Sequence, residues 1–133
     1  MSTIFSKIVS GEIPAHKVAE TSDYLAFLDI NPLRAGHVLV IPKTEVDYIF
    51  DLDDEQYTGL MIFAKVVATA LKKAMPCKKI GITVIGLEVP HAHIHLIPMN
   101  GIADMNFSQP KLNPTEKELS EVALKILEAL KES

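Results

Sequence analysis

Cysteine is almost missing from this chain. Cys77 stands alone, so no disulfide forms within it, and such sparing use of cysteine points to a reducing compartment. An excess of positive charge is missing too. The net charge is -4, which argues against nucleic-acid polymers as partners, because their binders carry a basic patch or stripe. A single nucleotide needs only local positive potential and well-aimed donors, so it stays in play. No apolar run approaches the roughly 20 residues that span a bilayer. The opening Met1-Ser2-Thr3-Ile4-Phe5-Ser6-Lys7 lacks the basic start and apolar stretch of a signal peptide. The expectation is a soluble, cytoplasmic protein with no membrane partner. There is no internal repeat and no low-complexity segment.

What remains is an ordinary globular composition: 133 residues, 48% hydrophobic and 23% charged. That length fits one domain with a real core, here residues 1–133, with 110–133 as a C-terminal loop and helix extension. The opening predicts a short helix capped by Ser2 or Thr3, with Ile4, Phe5, Ile8 and Val9 on its apolar side and Gly11 at its end. Strands are predicted over 17–21 and 24–30, around a turn at Ser22-Asp23, and over 37–41 before Pro42. A long helix follows, with Asp53 as N-cap and Gln56 three residues on. Leu60, Phe63, Ala64, Val67, Leu71 and Ala74 form its stripe, and Pro76 stops it. Two more strands are predicted over 79–85 and 92–97. The tail reads as a helix capped by Asn113, with Pro114 at its first position and Glu116 completing the start. Its apolar face comprises Leu119, Val122, Ala123, Ile126, Leu127 and Leu130. This order suggests an α+β fold, and its short connections favour antiparallel pairing. The stretch 101–112 is a loop long enough to be a lid or a dimer arm.

Three of the five histidines stand at 91, 93 and 95. On a strand, alternate side chains share a face, so this run predicts three imidazoles on one side and Ala92, Ile94 and Leu96 turned into the core. Imidazole serves as nucleophile, base or cation near neutral pH. A histidine attacking phosphorus splits one hard displacement into two easier ones. Its neighbours could orient it and donate to the phosphoryl oxygens. The middle residue, His93, is flanked on both sides. Two readings compete with phosphoryl chemistry: a zinc site completed by His37, and a polar strand edge with no chemistry.

The run His91-Ala92-His93-Ile94-His95-Leu96-Ile97 resembles the signature of the histidine triad family. The resemblance extends to Ile4-Phe5-x-x-Ile8, Glu12-Ile13-Pro14, Leu25-Ala26-Phe27-Leu28-Asp29-Ile30 and Gly36-His37-Val38-Leu39-Val40-Ile41-Pro42-Lys43, in order from about residue 3 to 99. It is closest to the branch of small nucleotide-binding hydrolases. It implies a five-stranded antiparallel sheet with a long helix, a short N-terminal helix and a C-terminal helix, and a homodimer joined through the long helix and strand edges. The implied substrates are purine nucleotides: nucleoside phosphoramidates, dinucleoside polyphosphates or other nucleotidyl conjugates. His93 would attack the α-phosphorus, with His37, His91 and His95 orienting it and contacting phosphate, and with no metal or other cofactor. Asp29 would bind the ribose hydroxyls, while Ile4, Phe5, Ile8, Phe27 and Ile30 would surround the base. Before the triad the chain departs from the family pattern. Thr83-Val84-Ile85-Gly86-Leu87-Glu88-Val89-Pro90 is about three residues short, with Leu87 and Glu88 where Gln and Ser or Thr are expected. Thr83 is the nearest polar substitute for the family's asparagine. Glu88 either replaces the lost donor as a general acid or points to solvent. A nucleotide-binding regulator with weak catalysis is the third function class.

Overall fold

The fold is that of a computed structural model, which describes residues 2–132. Three helices, α1 (Ile4–Ser10), α2 (Asp54–Ala74) and α3 (Glu116–Lys131), accompany five strands. The strands are β1 (Lys17–Glu20), β2 (Tyr24–Leu28), β3 (Val38–Pro42), β4 (Lys79–Thr83) and β5 (Ile94–Met99), with single 3₁₀ turns at Ile49–Asp51 and Ile102–Met105. One antiparallel sheet runs in the order β1-β2-β3-β5-β4.

The strand period of two sorts the core into two layers. Ala26, Leu28, Val38, Val40, Ile94 and Leu96 face α2 and α3, where they meet Leu60, Ala64, Val67 and Leu71 of α2 and Leu119, Ala123 and Ile126 of α3. Leu25, Phe27, Leu39 and Ile41 face the other way and pack under Phe5 and Ile8 of α1. The central strands are therefore apolar on both faces. Leu60 and Ile94 are fully buried, and truncating either to Ala would cost about 2–5 kcal/mol. The seven-residue α1 covers only part of its face, and the site lies beside it.

Local signals explain the helix ends. Thr3 Oγ1 accepts from the Ser6 N–H, and Gly11 closes α1 at φ 87°. The Asp53 carboxylate accepts from the Gln56 N–H at 2.7 Å and starts α2. The start of α3 differs from expectation. Its N-cap is Thr115, which accepts from the Glu118 N–H while Glu118 accepts from the Thr115 N–H. Asn113 and Pro114 lie ahead of the helix. The reciprocal box satisfies two backbone donors, more than Asn113 offers two residues earlier. Among the expected apolar face of α3, Leu127 is instead exposed.

Candidate active site

His91 and His93 precede the β5 ladder, which begins at Ile94. The expected alternation extends back through them all the same, because Ala92, Ile94 and Leu96 are each at most 1% exposed. The imidazole side of the run is nevertheless buried. His91, His93 and His95 are 0%, 6% and 8% exposed. They sit on the α1 side of the sheet, where Phe5 meets His93 edge to face at 5.0 Å and Phe107 meets His95 at 4.8 Å.

The hydrogen bonds assign each ring a different state. His91 Nε2 lies 2.8 Å from the Pro42 carbonyl. A carbonyl only accepts, so Nε2 carries the proton. Nδ1 then accepts from the Thr3 hydroxyl at 3.0 Å. Glu45 secures this corner, with Oε1 accepting from the Thr3 N–H and the Ser6 hydroxyl. Burial lowers the pKa of His91. Both its nitrogens are consumed in tying α1 to β3.

His93 Nδ1 donates to the backbone carbonyl of residue 91 at 2.7 Å. The Nε2 lone pair is therefore free. No buried side-chain nitrogen or oxygen among the described residues lacks a partner, so the unpaired His93 Nε2 is open to the adjoining cleft, which His93 and His95 both line.

The third arrangement is a relay. Gly36, at φ 89°, turns the chain into β3 where a Cβ would stand 2.9 Å from Met75 Cγ. His37 follows, and its Nδ1 accepts from the Leu33 N–H at 3.1 Å. The ring proton therefore sits on Nε2, which donates to His95 Nδ1 at 3.0 Å. That fixes the His95 proton on Nε2, which has no partner among the described residues and faces the cleft. Burial pushes the pKa of His37 down to about 4 and that of His95 down to about 3. Both are neutral at physiological pH, with His95 holding one N–H toward the cleft.

Asp29 stands at the end of β2. Its Oδ1 accepts from the Asn31 N–H at 2.9 Å, and burial raises its pKa. The side chain lines the same cleft, of about 420 Å³. Donor atoms of Asp29, His37 and His95 lie within 4.8 Å of one another, close enough for a metal ion. A metal on His37 Nε2 would need the ring proton on Nδ1, where the Leu33 N–H already points. The hydrogen bonding favours the relay over a metal centre.

The other expected residues fall into three groups. Phe5, Ile8 and Phe27 are buried together beneath the site, whereas Ile4 and Ile30 are 50% and 58% exposed. Glu88 is exposed and lines the cleft with Leu87 and Gly86. Thr83 is the ladder partner of His95 but lines a neighbouring cavity with Tyr48 and Phe50. Arg34 and Lys43 spend their charge on Asp104 and Glu20, at 2.6 and 2.8 Å. Sequence reasoning missed Thr3, Ser6 and Glu45 as the supports of His91. It also missed Phe107 and Lys111, which close the cleft from the 101–112 loop. Only Thr3 carried a local signal, as a helix cap.

The model of the HIT domain, the histidine triad domain, matches residues 10–102. The chain belongs to the HIT family. The adenosine 5′-monophosphoramidase HNT1 of Saccharomyces cerevisiae is 42% identical over 96 residues, 71% of this chain and 61% of that enzyme. A HIT-like protein of Bartonella henselae superposes with a TM-score of 0.84 at 32% identity, covering 96% of each chain. A zinc-bound histidine triad family protein of Mycobacterium smegmatis superposes with a TM-score of 0.85 at 28% identity, covering 99% of this chain and 95% of that one. This family member is a nucleotide hydrolase in general kind. Among the described residues, no helix is long and apolar enough to cross a membrane.

Proposed function

We propose that the chain cleaves purine nucleoside phosphoramidates and related nucleotidyl conjugates at the α-phosphorus, through a nucleotidyl-histidine on His93. The observation that carries this reading is the fixed tautomer of His93, whose Nδ1–H is held by a backbone carbonyl while Nε2 opens to the cleft. In the first step the Nε2–phosphorus bond forms as the bond from phosphorus to the leaving group breaks. His95 Nε2–H donates to a non-bridging oxygen, where charge collects. Glu88 supplies the proton that a leaving amine needs. Water then attacks phosphorus and passes a proton back to the Glu88 carboxylate as the Nε2–phosphorus bond breaks, which releases the nucleoside monophosphate and restores His93. His37 holds His95, and His91 holds the carbonyl that orients His93.

Asp29 accepts from the ribose hydroxyls. The exposed Ile4 and Ile30 flank the base, over a floor of Phe5, Ile8 and Phe27. Thr83, the ladder partner of His95, lines the neighbouring cavity and takes no part in this nucleotide site. The likeness to an adenosine 5′-monophosphoramidase supports the phosphoramidate class. The protein works in the cytoplasm as a homodimer. The edge strand β4 and helix α2 carry exposed Ile82, Ile62 and Val66, with Val84 just beyond the strand, which a second copy would cover while extending the sheet.

The test is AMP release from adenosine 5′-phosphoramidate by the wild type and by His93→Asn. Release that falls by at least about 10³-fold in the variant supports the reading. Equal rates in the two proteins, or no release by the wild type from any nucleotidyl conjugate, would sink it.

A further inference from the structure

The two imidazoles of the relay share one cover, the ring of Phe107. It comes from beyond the part of the chain matched by the family model, which ends at residue 102. The ring stands nearly at right angles to His95 and His37, with centres 4.8 and 6.1 Å away. The loop that carries it is held as a strap. At one end Asp104 pairs with Arg34 and accepts from the Asn100 N–H at 2.7 Å. Asn106 then turns the chain, its side chain accepting from the Ser108 N–H and its carbonyl from the Gln109 N–H. At the other end the Leu112 N–H donates to the Pro32 carbonyl at 2.8 Å. Lys111 Nζ stands 5.6 Å over the Phe107 ring and braces it. Phe107 packs in neither layer of the core, and it lines the cleft beside His95.

The relay needs such a cover. The bond from His37 Nε2–H to His95 Nδ1 is one that water can compete for at either atom. A proton added to His95 Nδ1 would set two N–H groups against each other at 3.0 Å, and one ring would have to turn. Either event takes the His95 Nε2–H off its aim into the cleft. The charges around the pair pull in both directions. Lys111 and His93 oppose an added proton, while the Asp29 carboxylate, 3.8 Å from His37 Nε2, favours one. Glu88 lines the same cleft. Glu118, Glu121 and Lys125 of α3 line a second cavity that reaches His37. With charges of both signs on either side, exclusion of water is what holds the pair neutral.

We propose that Phe107 is a positioning residue for His95. Its ring keeps water from the His37–His95 hydrogen bond, so that His95 holds a single tautomer and presents its N–H to the substrate. This inference rests on the proposed role of that N–H and adds a residue that acts through it.

The test follows the ring nitrogens of His95 by NMR in the wild type, Phe107→Ala, Phe107→Leu and Lys111→Met, alongside kcat and KM for AMP release from adenosine 5′-phosphoramidate. Phe107 lies on a loop outside the core layers, so its variants should fold. In the wild type the His95 proton should stay on Nε2 from about pH 8 to about pH 5, through the range where an ordinary histidine titrates. In Phe107→Ala the ring should mix tautomers at neutral pH, and its protonation should shift up by about two pH units as water enters. The kcat should fall about tenfold, as for an aimed group let loose, with KM within about twofold. Phe107→Leu keeps an apolar cover and should stay within about threefold of wild type in kcat. A His95 ring in Phe107→Ala with the tautomer and titration of wild type would overturn the proposal. So would a loss in Phe107→Leu as large as in Phe107→Ala, or an equal shift in Lys111→Met, which would make charge the cause. Mixed tautomers with an unchanged kcat would overturn the positioning role. A wild type that releases no AMP, while the tautomer still depends on Phe107, would overturn the catalytic reading and leave the cover of the relay standing.

Discussion

His91 and His95 stand at the two ends of one short motif, equally spaced from His93, yet their surroundings make them opposites. His91 spends both ring nitrogens inside the protein, on Thr3 and on the Pro42 carbonyl. His95 spends one on His37 and keeps the other for the cleft. Only the backbone of residue 91 reaches His93, through its carbonyl. Any residue at 91 supplies that carbonyl, whereas only histidine at 95 supplies both an acceptor for His37 and a donor toward substrate. One end of the triad is thus a structural tie, and the other keeps an N–H open to the cleft.

The largest expected break in this contrast is at His95. In His95→Asn, the amide oxygen stands near the old Nδ1 and still accepts from His37, but no donor reaches the cleft. The turnover rate should fall by about 10²–10³-fold, the usual loss of one aimed donor to a developing oxyanion, with little change in melting temperature. His95→Gln, which places an amide N–H near the old Nε2, should recover part of the rate. Similar rates for the two variants would show that the free N–H does not matter.

At the other end the balance should invert. His91→Leu strands the buried Pro42 carbonyl and the Thr3 hydroxyl, at about 1–3 kcal/mol each. Urea unfolding should report a total loss of about 2–4 kcal/mol, while the turnover rate of the folded fraction falls less than about tenfold. A variant as stable as wild type but as slow as His95→Asn would place His91 in the chemistry.

Acid sharpens the same comparison. The unfolded histidines take up protons near 6.5, whereas folded His37 and His95 resist them until about 4 and about 3. Between about pH 6.5 and 4 the unfolded state binds more protons, so acidification favours unfolding. The slope is up to about 1.4 kcal/mol per pH unit for each histidine. The raised pKa of Asp29 works against this, since the native state protonates it first and regains some stability in acid. Melting temperature should therefore be steady above about pH 7 and fall steadily below it. His95→Asn should flatten the slope by roughly one proton; an unchanged slope would mean that His95 titrates normally.

Much of this contrast is invisible in the sequence, for a physical reason. Period-two spacing correctly put Ala92, Ile94 and Leu96 in the core, and caps at Thr3 and Asp53 were legible because cap and partner lie three residues apart. The same spacing says nothing about what covers the opposite face. Phe5 and Phe107 pack against His93 and His95 there from far along the chain. Partners such as Thr3 and His91 are separated by 88 positions, and no local pattern links them. The Asn113-Pro114-Thr115 run offers two plausible caps, and only the reciprocal bonds of Glu118 decide between them.

Thr3 gives the smallest and most discriminating effect, because one hydroxyl group serves two tasks. It caps α1 by accepting from the Ser6 N–H, and it donates to His91 Nδ1. Thr3→Val keeps the shape and removes both, and should cost about 1–2 kcal/mol, in the range of a lost cap. Thr3→Ser keeps the hydroxyl and should restore nearly all of it. If His91 is a tie rather than a reacting group, Thr3→Val should change KM and kcat less than about twofold, since the carbonyl of residue 91 stays in place. A rate loss in Thr3→Val that Thr3→Ser rescues would instead mean that the tautomer of His91 is felt by His93, and the two ends of the triad would no longer be independent.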